Sequence, residues 1–178
     1  KTQFRHGGFR LPLQCHGDGR PETVRIVRAF NVFRQYPEET LERGLEELAL
    51  TMLPDSLLIE GTSDPFGRRF TANVFRRVAA GGFRHEALVF GARGTVAFDP
   101  AAFQAILPKK YIHRMVDGEP VHAFFEAWKE AAAETRAQAV FGPRNWFRAA
   151  AKLLAERGIG IHPRPVFLRH GFLVIAPP

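Results

Sequence analysis

One cysteine, Cys15, stands in the whole chain of 178 residues. An internal disulfide is therefore excluded, which fits a reducing compartment. Cys15 is not read as a nucleophile, because nucleophilic catalysis needs an oriented base and adjacency in sequence does not turn His16 toward it. Long apolar runs are also missing. Nothing approaches the roughly 20 residues that a membrane-spanning helix requires, and Lys1 to Phe9 is too polar for a signal peptide. The expectation is a cytoplasmic protein with no membrane partner. Absent too are a GxGxxG turn after a strand, a GxxxxGK[ST] loop, an HExxH helix and paired cysteines. The seven histidines never fall at i and i+4, so no histidine-based metal site is expected. No internal repeat or low-complexity segment breaks the chain.

The composition that remains is that of an ordinary globular domain, with 46% hydrophobic and 24% charged residues. A chain of this length suits one domain with its own core. Acidic residues are the minority, giving a net charge of +7 and an isoelectric point near 10.3. Twenty arginines stand against five lysines. They are scattered in ones and twos (Arg68-Arg69, Arg76-Arg77, Lys109-Lys110), with no run of five or more. A solvated basic surface and a nucleic-acid partner are both open on this pattern.

Thr23 to Phe33 is almost continuously apolar and rich in Val, Ile and Phe, the pattern of a central parallel strand buried on both faces. Pro37 then suits a first helical position, Glu38 and Glu39 suit the positive end of a helix, and Leu41, Leu45, Leu48 and Met52 recur at helical spacing. Pro54-Asp55 breaks that helix, and Ser56 to Glu60 reads as a second strand, parallel to the first. Phe70, Ala72 and Val74, then Phe83, Ala87 and Val89 beyond Gly81-Gly82, fit a hairpin, although Val74, Phe75 and Val78 also fit a helix within Phe70 to Ala80. Val121, Phe124, Phe125, Trp128 and Ala132 form one helical stripe. Phe147, Ala150, Ala151 and Leu154 form another, ended by Gly158. Val166 to Ile175 reads as a closing strand or hairpin arm. The one candidate flexible loop is His16 to Pro21.

Phe30-Asn-Val-Phe-Arg-Gln-Tyr36 and Leu57-Leu-Ile-Glu-Gly-Thr-Ser-Asp64, with Gly67-Arg68, resemble the fourth and fifth strands of bacterial class I S-adenosylmethionine-dependent methyltransferases. Leu107 to Arg114 and Gly118 to Trp128 resemble the C-terminal extension of a poorly characterised branch of that superfamily. The resemblance covers roughly residues 4 to 147. It implies an α/β fold with a Rossmann-like, methyltransferase-type partial sheet, made of parallel strands plus an antiparallel C-terminal hairpin, with helices on the faces. It implies S-adenosylmethionine as cofactor, with Phe30 and Asn31 toward it and Gly8 at the place of the acidic adenine contact, where a glycine has no side chain to accept a hydrogen bond. The family's first strand and glycine-rich turn would precede Lys1, so an N-terminally truncated single domain is expected, and the unpaired edge of the first strand would be covered, swapped or joined in a homodimer.

Ligands of parallel α/β sheets sit beyond the carboxyl ends of the strands. That places Arg34, Gln35 and Tyr36 after the first strand and Glu60, Thr62, Asp64 and Arg68 after the second. Arg34, Gln35, Glu60, Thr62, Asp64 and Arg68 are the substrate-binding candidates. Tyr36, His113 and His122 are the catalytic candidates, either histidine as general base for an acceptor held in line with the cofactor methyl. The Asn/Asp-Pro-Pro-aromatic run of many amino methyltransferases is missing, which favours a small-molecule acceptor over a nucleic-acid base. Several of these residues also have a structural reading, with Arg34 and Gln35 capping the turn into the helix, Tyr36 packed, Asp64 capping a turn before Pro65 and the two histidines structural.

Overall fold

The computed structural model describes residues 3–15 and 17–178. Lys1 and His16, the latter at the head of the loop expected to be flexible, lie outside the described residues. Five strands form one open mixed sheet in the order of the sequence: β1 (Val24–Phe30), β2 (Met52–Ser63), β3 (Arg69–Arg77), β4 (Phe83–Ala92) and β5 (Phe172–Ile175). Only β1 and β2 are parallel, and the other three pairings are antiparallel. The fold is therefore α/β, with parallel pairing confined to one edge.

Between β1 and β2 runs α1 (Glu38–Thr51), where Pro37 caps the start and Glu38 and Glu39 occupy the first turn. Negative side chains there meet unbonded backbone N–H groups. This strand, helix and parallel strand match the sequence expectation in kind and direction. Their limits differ. β1 stops at Phe30 because Asn31 turns left-handed at φ 59. β2 begins at Met52, directly after the helix, and Pro54-Asp55 bulges out of it instead of breaking the chain. Proline cannot donate to a ladder and Asp55 sits at φ 64, so the register jumps between Val24 and Ile26.

β1 is also not a central strand buried on both faces. It forms an edge beyond which no strand lies among the described residues, and Ile26 is 63% exposed. The hairpin β3–β4 forms as expected, turning through Gly81 and Gly82 at φ 114 and 71, and the helical alternative for Phe70 to Ala80 does not. α3 (Pro120–Glu134) and α4 (Pro143–Glu156) take the two aromatic and alanine stripes. The C-terminal segment is a correction. Pro165 starts a short helix, α5 (Pro165–Arg169), so only Phe172–Ile175 remains as strand. Gly171, at φ 81, makes that corner against the Ala92 carbonyl oxygen, 2.3 Å from where a Cβ would stand.

Register shows which face carries the core. Val27 pairs with Leu58 and Leu58 with Phe75, while Glu60, Asn73, Leu88 and Ile175 follow one another across the strands. All therefore share one face, and the helices pack their apolar sides only there. The larger cluster centres on Phe90, Phe103, Phe124, Phe125 and Trp128, whose rings lie 5.1–5.8 Å from that of Phe90. The smaller joins Phe33, Leu48, Met52 and Leu58 beneath α1. Helices were expected on the faces of the sheet, and they occupy one. On the other face Phe30, Ile59, Phe70, Val74, Val89 and Phe172 stand half-buried among themselves.

Close strand contact on that open face depends on glycine. A Cβ on Gly61 would stand 2.6 Å from the Thr71 carbonyl oxygen and 2.8 Å from the Ala72 Cβ. Backbone cannot give way there, so Gly61→Ala should cost about 1–3 kcal/mol, read as a lower urea midpoint at unchanged slope.

Candidate functional site

The two apolar clusters do not meet. Between them, on the covered face of β2 and β3, runs a seam of buried polar residues: Ser56, Glu60, Thr62, Thr71 and Asn73. The seam opens into a cleft of about 510 Å³, within the roughly 300–1,000 Å³ typical of small-molecule sites. Its floor is Glu60, Asn73 and Phe75. One wall is α1, with Leu41 and Leu45 inside and Glu38 and Glu42 at the lip. The facing wall carries Lys109, Lys110, His113 and Arg114, from the one-turn helix α2 (Lys109–Ile112) and the residues after it.

Glu60 is 5% exposed, and the Asn73 amide donates to its Oε2 at 2.7 Å. Burial pushes the Glu60 carboxyl above the ordinary glutamate value, against the Asn73 hydrogen bond and the Arg34 charge, which favour ionisation. The cause is the cost of taking a carboxylate out of water. Around it, Asn73 Oδ1, Thr62 Oγ1, Thr71 Oγ1, His85 Nδ1 and the Tyr111 hydroxyl find no hydrogen-bond partner among the described residues. Burial, then the nearby Lys110 charge, lowers His85 to about 4. Burial raises the Tyr111 hydroxyl to about 12, and the Glu60 charge adds to this while Arg114 opposes it. Of these groups only Glu60 and Asn73 line the cleft itself; the others stand buried beside them.

Of the residues singled out from sequence, Glu60 and His113 line this cleft. Arg34 reaches Glu60 electrostatically, its guanidinium donating to the Ala105 carbonyl at 3.4 Å. The others are elsewhere. Gln35 closes a turn on the Asn31 carbonyl at 2.8 Å. Thr62 is buried in the seam with its hydroxyl unpaired. Asp64 caps the turn into β3, accepting from the Arg68 N–H at 2.7 Å. Burial works against its ionisation, but the backbone hydrogen bonds and charges of Arg68 and Arg69 outweigh this and hold its carboxyl below the usual range.

Tyr36 packs edge-on against Phe9, ring centroids 5.1 Å apart. With Gly8, Val27 and Ala29 it lines a separate hollow of about 190 Å³. Phe30 lies on the opposite side of β1, under the Arg28 guanidinium at 3.8 Å. Asn31 is engaged twice with Ser63, each hydrogen bond 3.0 Å long. Gly8, Phe30 and Asn31 therefore do not converge on one cavity. His122, on α3, stands 3.6 Å from both Asp117 and Glu126, outside the cleft lining. Arg68 lies at the other end of the sheet.

Asn73, His85, Lys109, Lys110, Tyr111 and Arg114 escaped sequence reasoning as site residues. The doubled lysine was visible as charge and as part of the Leu107 to Arg114 block, with no role attached. Asn73 alternates with Ala72 and Val74, so the period-2 pattern points it to solvent, whereas it faces the helices.

Glu60 and His85 give the fold opposite pH dependences. A raised native carboxyl means the folded state holds its proton more tightly than the unfolded chain, so that contribution is present at low pH and lost as pH rises past 4.5. Glu60→Gln should therefore raise the urea midpoint at neutral pH and leave it nearly unchanged well below 4.5. His85, neutral in the native state, contributes above 6.5 and loses that contribution as pH falls toward about 4. His85→Gln should flatten the acid limb of the same titration, and an unaltered limb would contradict the assignment.

Among the described residues no group of three or more His, Cys, Asp or Glu is arranged to hold a metal ion, and no helix is long and apolar enough to cross a membrane. Compared with protein-family models, with curated proteins and with solved structures, the chain finds no match.

Proposed function

We propose that the cleft between α1 and α2 binds a small dipolar molecule, amino-acid-like in its pattern of charge. The observation that carries this is the Glu60–Asn73 pair, a buried carboxylate and a half-satisfied amide at the bottom of a cleft whose α1 wall is apolar inside and whose facing wall is basic. Such a floor is expensive to desolvate unless a donor group occupies it. The lips differ in sign, Glu38 and Glu42 facing Lys110, His113 and Arg114. An ammonium or hydroxyl donor fits the floor and the acidic lip, and a carboxylate or phosphate fits the basic lip. Arg114 is partly committed, its Nη2 lying 2.7 Å from Glu119, and Lys109 donates to the Tyr36 carbonyl at 2.8 Å. Lys110 and His113 are the basic groups left to the ligand.

The resemblance to class I methyltransferases would make this ligand the methyl acceptor. What supports it is the β1–α1–β2 unit, a strand, a helix and a second strand parallel to the first, and the Rossmann-like reading of the sheet rests on the same unit. Gly8, Phe30 and Asn31 do not fit S-adenosylmethionine, since the first two open on opposite sides of β1 and the amide of the third is used by Ser63. The function supported by the geometry is therefore acceptor-type binding, with His113 the one candidate base on the cleft wall.

Thermal-shift titration with amino acids, amino alcohols and small primary amines tests the reading. A ligand at about a hundredfold its Kd stabilises the native state by about 2.7 kcal/mol, and that gain should vanish in Glu60→Gln although the variant folds. Stabilisation equal in wild type and Glu60→Gln would place the ligand elsewhere and remove the proposal, as would no stabilising compound in the three classes.

A further inference from the structure

A second cavity lies at the far end of the sheet, on the open face and remote from Glu60. Its volume is about 480 Å³, and Arg68, Arg93, Arg144 and His170 line it together with the rings of Phe70 and Phe172. Four chain segments build it, around 67–70, 92–95, 144 and 170–172, and backbone hydrogen bonds hold the first, second and fourth together. The Arg93 N–H donates to the Arg68 carbonyl at 2.9 Å, and the Ala92 N–H to that of Gly171 at 3.0 Å. The backbone that carries Arg68 and Arg93 is thus set before an anion arrives.

Arg68 has one acidic neighbour, Asp64, at 3.7 Å. Arg93 and Arg144 have no carboxylate partner among the described residues. Arg144 is placed by Gly94, whose missing side chain leaves room for the guanidinium, with Nε 2.4 Å and Cζ 2.8 Å from where a Cβ would stand. The floor is aromatic. Phe172 and Phe70 lie with ring centroids 5.8 Å apart, and Phe30 continues the row at 5.6 Å from Phe70.

From this we infer that the cavity binds a nucleotide, its phosphate held by Arg93, Arg144 and Arg68 and its base laid against Phe70 and Phe172. Guanidinium groups pair phosphate oxygens in a fork geometry that lysine cannot match, and phenyl rings accept any base by its face. A bare inorganic anion would leave the two rings unused, and an apolar ligand would leave two arginines without a counter-charge. A free mononucleotide and one residue of a single-stranded nucleic acid share this chemistry. The row running on to Phe30, with Arg28 stacked above it, supplies a path for a neighbouring base.

Calorimetric titration with adenosine 5′-monophosphate, and fluorescence anisotropy with a 5′-phosphorylated oligothymidylate, are the tests. Saturable binding at submillimolar concentration is expected for at least one of them, with adenosine and inorganic phosphate at least tenfold weaker. Arg93→Ser and Arg144→Ser should each weaken it roughly ten- to hundredfold, and Phe172→Leu about fivefold or more. Gly94→Ala, which displaces the Arg144 guanidinium while leaving it in the sequence, should behave as Arg144→Ser does. Unchanged melting temperatures would show that these variants stay folded. An oligonucleotide bound much more tightly than the mononucleotide, with affinity falling as salt rises, identifies a single strand as the source, and equal affinities identify the free nucleotide. Absence of saturable binding in both titrations, inorganic phosphate binding as tightly as the nucleotide, or full affinity in folded Arg93→Ser and Arg144→Ser would each overturn the inference.

Discussion

A carboxylate set at the centre of a sheet, on the face that helices cover, prevents apolar packing from closing over it. Glu60 is that group. Burying it ionised against hydrocarbon would cost several kcal/mol, so the chain surrounds it with Asn73, Thr62 and Thr71 and leaves the helical layer open above. The division of the core into a large aromatic cluster over β4 and β5 and a small one beneath α1 follows from this. So does the cleft between them, which is the gap that neither cluster can fill.

The aromatic cluster supplies the rigidity that such a gap needs. Trp128 and Phe90 are fully buried and surrounded by rings on three sides, an arrangement favourable by about 0.5–1.5 kcal/mol per ring pair beyond the area buried. α3 and α4 are thereby anchored to β4 and β5, and α2 is held at a set distance from α1 by the Lys109 bond to the Tyr36 carbonyl. A polar floor is kept open on a stiff frame. The opposite face of the sheet has no helical layer, and its rings and guanidinium groups gather at the end where β3, β4 and β5 meet the loop before α4.

Much of the secondary structure was legible because its signals are local. Leucine spacing and the first-turn glutamates marked α1, the Gly81-Gly82 pair marked the hairpin, and the stripe from Val121 to Ala132 marked α3. The strand limits were less legible. Nothing local distinguishes a proline that ends a helix from Pro54, which bulges within a strand, and Pro165 with Gly171 shortens the last strand to Phe172–Ile175. The covered face of β3 is the reverse of what alternation suggests. Phe70, Ala72 and Val74 have the pattern of an inward face and Thr71 and Asn73 that of an outward one, yet register with Glu60 and Thr62 turns the polar residues toward the helices.

The amino-acid sequence by itself determined the α/β class, the parallel direction of the first two strands and the excess of arginine, because propensity, periodicity and net charge are sums over near neighbours. It also pointed to Glu60 and His113. Tertiary structure alone decided that these two share a cleft, that Tyr36 and His122 do not belong to it, and that Arg68, Arg93 and Arg144 meet around Phe70 and Phe172. Those groupings join residues up to about a hundred positions apart. They depend on which strand lies beside which and in what register, since a shift of one residue in a strand would turn Glu60, Phe70 or Phe172 to the other face.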